Sequence, residues 1–75
     1  MSTQQIMKDI VKASNLSLET IASRMGVKRA SNVSEMLRVQ NMRVDNMVRI
    51  LNACGYKLVI QSEEKGGKEI EVKID

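Results

Sequence analysis

Two short amphipathic segments joined at a glycine constrain the fold of this chain most strongly. They lie in residues 16–37, LSLETIASRMGVKRASNVSEML, with Gly26 between them. In the first segment apolar residues recur at spacings of three and four, which predicts one buried helix face. Ser17 has the side-chain oxygen that an N-cap needs, and Gly26 supplies the backbone freedom to leave the helix. The apolar face of this segment comprises Leu18, Ile21, Ala22 and Met25.

The second segment predicts another short helix, with polar residues on the side away from the core. Ser31 is a candidate N-cap for it, and Val33, Met36 and Leu37 form its buried stripe. Val27 is expected to close the core from within the turn. The outward residues of the helix are Asn32, Ser34, Glu35 and Arg38, and the chain enters it through Lys28 and Arg29.

The flanking sequence predicts two further helices. Residues 3–14 (TQQIMKDIVKAS) form the first, with Thr3 as its cap. The helix that contains Leu37 is expected to end near Gln40, and the last helix covers about 44–54 before Gly55 stops it. The predicted buried residues are Ile6, Met7, Ile10 and Val11 in the first helix, and Val44, Met47, Val48, Ile50, Leu51 and Cys54 in the last.

After residue 55 the hydrophobic period changes from helical to alternating. Apolar residues alternate over 56–61 and again over 69–74, which predicts two strands joined by a turn at Gly66-Gly67. A two-residue loop would mix the apolar and polar faces of the strands, whereas a three-residue loop over 65–67 keeps the apolar residues together. We therefore predict the second register, which pairs Leu58 with Ile74, Ile60 with Val72 and Glu64 with Lys68.

A hairpin of two strands is only marginally stable alone in water, and its exposed edges are templates for pairing. The hairpin is therefore expected to join two copies of the chain in a homodimer. The alternative is a monomer in which the hairpin covers the helical core. The predicted dimerisation residues are Leu58, Val59, Ile60, Val72 and Ile74.

In this order and spacing, the residues resemble the Cro/repressor-type (xenobiotic-response-element-like) helix-turn-helix family of small phage and bacterial regulators. The resemblance covers residues 3–61. It implies a mainly α, lambda-repressor-like four-helix domain with a C-terminal two-stranded β-hairpin. Residues 1–75 are then one domain, with a helical core over 3–55 and a hairpin over 56–75. The matching elements are Leu16-Ser17, Ile21-Ala22, Gly26-Val27, Val33-Ser34, Leu37 and the stretch NMRVDNMVRILNACGYKLVI.

The resemblance also implies a function: sequence-specific binding of double-stranded DNA by a homodimeric transcriptional repressor at an inverted-repeat operator. A helix in the major groove can present side chains to base edges while neighbouring basic and amide groups hold phosphates. Many family members carry Gln where this chain has Leu18 and Ala30, so their base-reading set does not transfer as a whole. The base-reading candidates are Arg29, Ser31, Asn32 and Glu35, and the backbone-contacting candidates are Ser17, Lys28, Arg38, Gln40, Asn41 and Arg43. For Glu35, a surface ion pair with Arg38 is an equal alternative.

Charge is unevenly distributed along the chain. Residues 1–61 carry nine Lys and Arg against four Asp and Glu, a net charge of +5, whereas residues 62–75 carry three against five, a net charge of −2. A basic helical part with an acidic tail favours a polyanionic partner for the helices.

Composition argues against catalysis and metal binding. The chain has no His and one cysteine, Cys54, so acid–base chemistry would fall to dispersed carboxylates and lysines. A Cys- and His-based metal site and an internal disulfide are excluded. We therefore expect no catalytic residue, no metal ligand and no cofactor. The chain starts with the polar run MSTQQ and has no long apolar segment, so no membrane span is predicted and the cytoplasm is the expected location.

Two alternative functions involve a protein partner. Antitoxins of toxin–antitoxin pairs resemble this design, and Cys54-Gly55-Tyr56 stands where they carry a Leu-Gly motif before an exit strand. The second alternative is a helix-turn-helix fold that binds a protein instead of DNA.

Overall fold

Residues 2–74, which the computed structural model describes, form four helices followed by a two-stranded antiparallel sheet. The predicted class, mainly helical with a C-terminal hairpin, is therefore confirmed. Within this range no helix has the length and apolar character needed to cross a bilayer. The elements are α1 (Thr3–Ser14), α2 (Leu18–Met25), α3 (Ala30–Arg38), α4 (Val44–Ala53), β1 (Leu58–Gln61) and β2 (Glu69–Val72).

The ends of α2 follow from local chemistry, as predicted. Ser17 precedes the helix in an extended conformation, and its hydroxyl oxygen accepts the N–H of Thr20 at 3.1 Å. Gly26 has a φ of +77°, a left-handed conformation that favours glycine. The next amide, that of Val27, donates to the carbonyl of Ala22 at 3.0 Å and closes the helix end.

The first helix has the predicted bounds but not the predicted cap. The hydroxyl of Ser2 accepts the N–H of Gln5 at 3.1 Å, so Ser2 is the N-cap. Thr3 is already the first helical residue, and it therefore cannot serve as the cap.

The core is built from aliphatic and methionine side chains, and every helix contributes to it. Cys54 is a free thiol that is half-buried against this core, as expected for a packed cysteine. The buried residues are Met7, Ile21, Ala22, Val33, Leu37, Met42, Val48, Ile50, Leu51 and Ala53. The half-buried residues around them include Ile10, Val11, Leu16, Leu18, Met25, Val27, Met36, Met47 and Leu58.

Two residues predicted to be buried are exposed. Ile6 is 42% exposed and Val44 is 56% exposed. Ile6 lies at the edge of the α1 stripe centred on Met7, and Val44 is the first residue of α4. Periodicity locates the centre of a buried stripe, but the neighbouring helices decide how wide the buried part is.

The predicted register of the hairpin is wrong by two residues. Because a shift of two residues preserves which side each residue faces, the apolar residues still share one face. The observed pairs are Leu58 with Val72, Val59 with Glu71, Ile60 with Ile70, and Gln61 with Glu69.

The loop over 62–68 explains this register. The hydroxyl of Ser62 accepts the N–H of Glu64 at 3.1 Å, and the carbonyl of Glu64 accepts the N–H of Gly67 at 2.9 Å. A Cβ at Gly67 would collide with the side chain of Ser62, so the loop requires glycine there. The chain therefore reverses its direction within residues 62–68, and Glu64 does not face Lys68 across the strands.

The predicted dimerisation residues lie in different surroundings. Leu58 packs against the helical core, and Val59 and Val72 are half-buried. At the far end of the hairpin Ile60 is 58% exposed and its cross-strand partner Ile70 is 60% exposed. Ile74 lies beyond β2, in a cleft that the C-terminal ends of α2 and α4 also line.

Candidate functional site

The candidate site is the outward face of α3 with the chain on either side of it. Val33 and Leu37 are buried and hold the helix on the core. Because these residues fix the inner side of the helix, the polar residues on the opposite side point outward, whereas Ser34, which was predicted to face outward, is half-buried. The exposed residues of α3 are Ser31, Asn32, Glu35 and Arg38.

The start of α3 differs from the prediction. Arg29 occupies the N-cap position in an extended conformation, and its carbonyl accepts the N–H of Asn32 at 3.1 Å. Ser31 therefore lies within the first turn and is not the cap. Lys28 and Arg29 are both exposed, so two cationic side chains stand at the entrance to the helix.

A contact from α1 fixes the other end of α3. The side-chain amide of Gln4 donates to the carbonyl oxygens of Leu37 and Arg38, at 3.1 and 3.0 Å. Val39 follows in an extended conformation, so no left-handed glycine closes this helix. The predicted end near Gln40 is therefore two residues too late, and the final carbonyls are satisfied from a distant segment.

Sequence reasoning did not identify Gln4, because its partners lie 33 and 34 residues away. One signal was available: no glycine or asparagine directly follows Arg38. A helix without such a C-terminal residue needs another donor for its last carbonyls.

The segment after α3 turns back along the helix and forms an open cleft with it. Met42 is buried and anchors the segment, while Gln40 and Asn41 are exposed. Arg43 is highly exposed, and its guanidinium lies 3.1 Å from the carboxylate of Asp45. The cleft has a volume of about 430 Å³ and is lined by Asn32, Glu35, Met36, Val39, Asn41, Met42, Arg43 and Asn46.

The structure thus places two base-reading candidates, Asn32 and Glu35, on the same cleft as the backbone-contacting candidates Asn41 and Arg43. Glu35 and Arg38 form no ion pair: within residues 2–74 the ion pairs are Arg43 with Asp45 and Lys73 with Glu71.

The backbone-contacting candidate Ser17 and the side chain of Arg24 both form hydrogen bonds at helix ends. The hydroxyl of Ser17 caps α2 and also lies 2.9 Å from the hydroxyl of Thr20. The guanidinium of Arg24, at the end of α2, donates to the carbonyl of Ala53 at 2.9 Å. Arg24 therefore stabilises the C-terminal end of α4.

Comparison of the chain with family models, curated proteins and solved structures gives no match.

Proposed function

We propose that this protein is a cytoplasmic, sequence-specific DNA-binding regulator with a helix-turn-helix formed by α2 and α3. In this proposal α3 enters the major groove of double-stranded DNA, and two copies bind an inverted repeat. Repression by occupying a promoter is the proposed mode of regulation.

The observation that carries the proposal is the composition of the outward face of α3. Its exposed side chains are hydrogen-bonding groups, and two cationic side chains, Lys28 and Arg29, precede it. Buried Val33 and Leu37 fix the inner face of the helix on the core, and the Gln4 amide binds the carbonyls at its C-terminal end. A rigid helix with polar, partly cationic side chains facing outward is what major-groove recognition requires.

Each base-reading candidate matches a known base edge. The guanidinium of Arg29 can donate two hydrogen bonds to guanine, and the amide of Asn32 can pair with adenine in the same bidentate manner. The carboxylate of Glu35 can accept from the amino group of cytosine, and it has no ion-pair partner that would compete within residues 2–74. Ser31 can pair with either kind of base.

The backbone-contacting candidates surround these residues. Lys28 and Arg38 are exposed on either end of α3, and Gln40, Asn41 and Arg43 follow it. The ion pair of Arg43 with Asp45 does not prevent a phosphate contact, because the Arg43 side chain is 78% exposed and exposed pairs are weak.

The hairpin is the proposed dimerisation element. A dimer would place its two recognition helices about 34 Å apart, one turn of the duplex. Over its described part, 56–74, the hairpin contributes no residue to the lining of the cleft beside α3.

The test is a titration of the purified protein against duplex from upstream of its own gene, with a scrambled duplex as control, at several salt concentrations. We expect a preference of about 10³ or more for the native duplex. If Lys28, Arg38 and Arg43 of two copies each contact a phosphate, log K should fall with log salt with a slope of about −5. Equal affinity for the two duplexes would contradict sequence-specific recognition.

A protein partner at the same face is the second candidate function, as in a helix-turn-helix domain that binds a protein instead of DNA. Val39, which lines the cleft, and Val44, which directly follows Arg43 of its lining, are exposed apolar residues, and apolar surface of this kind favours protein contacts. Absence of binding to either duplex at low salt would favour this candidate.

A further inference from the structure

A second apolar surface lies away from α3, in a groove between α1, α4 and β1. The groove has a volume of about 270 Å³, and most of its lining side chains are apolar. Its floor and walls include Ile6, Met7, Ile10, Met47, Leu51 and Tyr56. Ile6 and Tyr56 are exposed at its rim. We refer to this surface as the α1–α4 groove.

The far end of the hairpin carries a pair of exposed apolar side chains that could fill such a groove. Ile60 and Ile70 are directly paired across the strands and both are more than half exposed. We refer to this pair as the hairpin knob. Leu58, two residues earlier on the same face, already fills one edge of the groove. Because a strand advances about 3.3 Å per residue, Ile60 lies about 7 Å farther along and leaves the groove of its own chain unfilled.

We infer that the α1–α4 groove receives the hairpin knob of a second copy of this chain. The exchange is reciprocal, so each copy supplies one knob and one groove, and both surfaces are covered in a single two-fold symmetric contact. This inference deepens the proposed function, since it rests on the homodimer and specifies how its two copies meet.

Charge favours a second copy as the occupant. The chain from residue 62 onward has a net charge of −2, and residues 1–61 have a net charge of +5. Each whole chain carries a net charge of +3, but reciprocal exchange brings the acidic segment of each copy against the basic part of its partner, so unlike charges approach each other within the contact. Gln61, Glu69 and Glu71 lie on the hairpin face opposite the knob. They therefore turn toward water when the knob enters the groove.

The expected contact is small. It covers mainly the exposed parts of Ile6, Tyr56, Ile60 and Ile70 on each copy, so its area falls at the low end for specific interfaces. A dimer of this kind is expected to dissociate as the protein is diluted.

The experiment is sedimentation equilibrium of the full chain without DNA over a wide range of protein concentration. Two variants change one side of the contact each: Ile70→Glu places a carboxylate on the knob, and Ile6→Lys places an ammonium at the groove rim. Each is expected to raise the dimer dissociation constant at least about tenfold, because the buried apolar contact is lost twice per dimer. The matched control is Gln61→Lys, at the same end of the hairpin but on its opposite face, and its constant should remain within about twofold.

Mixing the two variants gives the decisive result. A mixed dimer has one unaltered knob in one unaltered groove, and its other contact joins the introduced carboxylate to the introduced ammonium. We therefore expect Ile70→Glu and Ile6→Lys to associate with each other more tightly than either associates with itself. Circular dichroism of each variant verifies that it is folded.

Three results would overturn the inference: a wild-type chain that stays monomeric, a dimer that Ile6→Lys leaves unchanged, or a mixture no tighter than its components. The second result would indicate that hairpins meet each other directly. Because no DNA is present, a failure here is separate from a failure of the proposed DNA recognition.

Discussion

Replacing Gln4 by alanine tests the link between α1 and the end of α3. The amide of Gln4 donates to a part-buried carbonyl at Leu37 and an exposed one at Arg38. Loss of a hydrogen bond to a part-buried group costs about 1 kcal/mol, whereas water can replace the bond to the exposed carbonyl at lower cost. We expect the free energy of unfolding to fall by about 1–2 kcal/mol.

The chain provides a matched control one residue away. The side chain of Gln5 makes a hydrogen bond of 2.8 Å, but to Asp9 on the exposed surface of the same helix. Exposed pairs at this spacing contribute about 0.2–0.5 kcal/mol. Gln5→Ala removes the same atoms from the same turn, so helix propensity changes equally in the two variants.

The assay is urea unfolding followed by circular dichroism, at one fixed protein concentration because dimerisation contributes to stability. In a thermal scan of a domain of this size, a loss of 1–2 kcal/mol corresponds to a decrease in Tm of roughly 4–16 °C. Equal destabilisation by the Gln4 and Gln5 substitutions would refute the assignment of Gln4 as the C-terminal anchor of α3.

Three further predictions concern the candidate site and its supports. Arg29→Ala should reduce the preference for the native duplex, by about 1–3 kcal/mol at one base position. Arg43→Ala should instead weaken binding to the native and the scrambled duplex alike and flatten the salt dependence. Titrations of each variant against both duplexes distinguish the two outcomes. Arg24→Ala should lower stability in urea by about 1 kcal/mol, through loss of its bond to the carbonyl of Ala53, and leave duplex affinity unchanged; a large loss of affinity in the folded variant would contradict this. Ser17→Ala should cost about 1 kcal/mol of stability because it removes the cap of α2, and Ser17→Asp, which keeps a capping oxygen, should restore most of it.

The parts of the fold that the sequence predicts correctly depend on neighbours within about four residues. Ser17 caps α2 because its own hydroxyl reaches an amide three residues on, and Gly26 ends the helix because its own φ is positive. The buried stripe of α3, Val33 and Leu37, follows from spacing alone. Such features need no knowledge of what packs against them.

The features that were missed depend on distant parts of the chain or on the detail of a loop. Gln4 meets carbonyls more than 30 residues away, and local periodicity contains no information on that contact. The hairpin register is set by hydrogen bonds inside the loop and by the close approach of Gly67 to Ser62. Alternation of apolar residues is satisfied equally by registers that differ by two residues.

The candidate site shows the same division. The polar pattern of α3 correctly identifies Asn32, Glu35 and Arg38 as exposed, because polarity and exposure are both local properties of a helix face. Ser34, which was also predicted to face outward, is half-buried. The cap at Ser31 is wrong because the extended conformation of Arg29 starts the helix earlier. The contact of Arg24 with the carbonyl of Ala53 was not predicted, because the two residues are 29 apart in the sequence.

The rim of the α1–α4 groove contains the residue that gives this protein its intrinsic fluorescence. Tyr56 is the only aromatic side chain in the sequence, and it stands partly exposed at that rim. The protein therefore has a single aromatic fluorophore, which lies outside the cleft beside α3 and next to the proposed binding position of the second copy. Association of two chains through the groove should change the emission of Tyr56 and its accessibility to a soluble quencher. The assembly of the protein can thus be followed without any attached label.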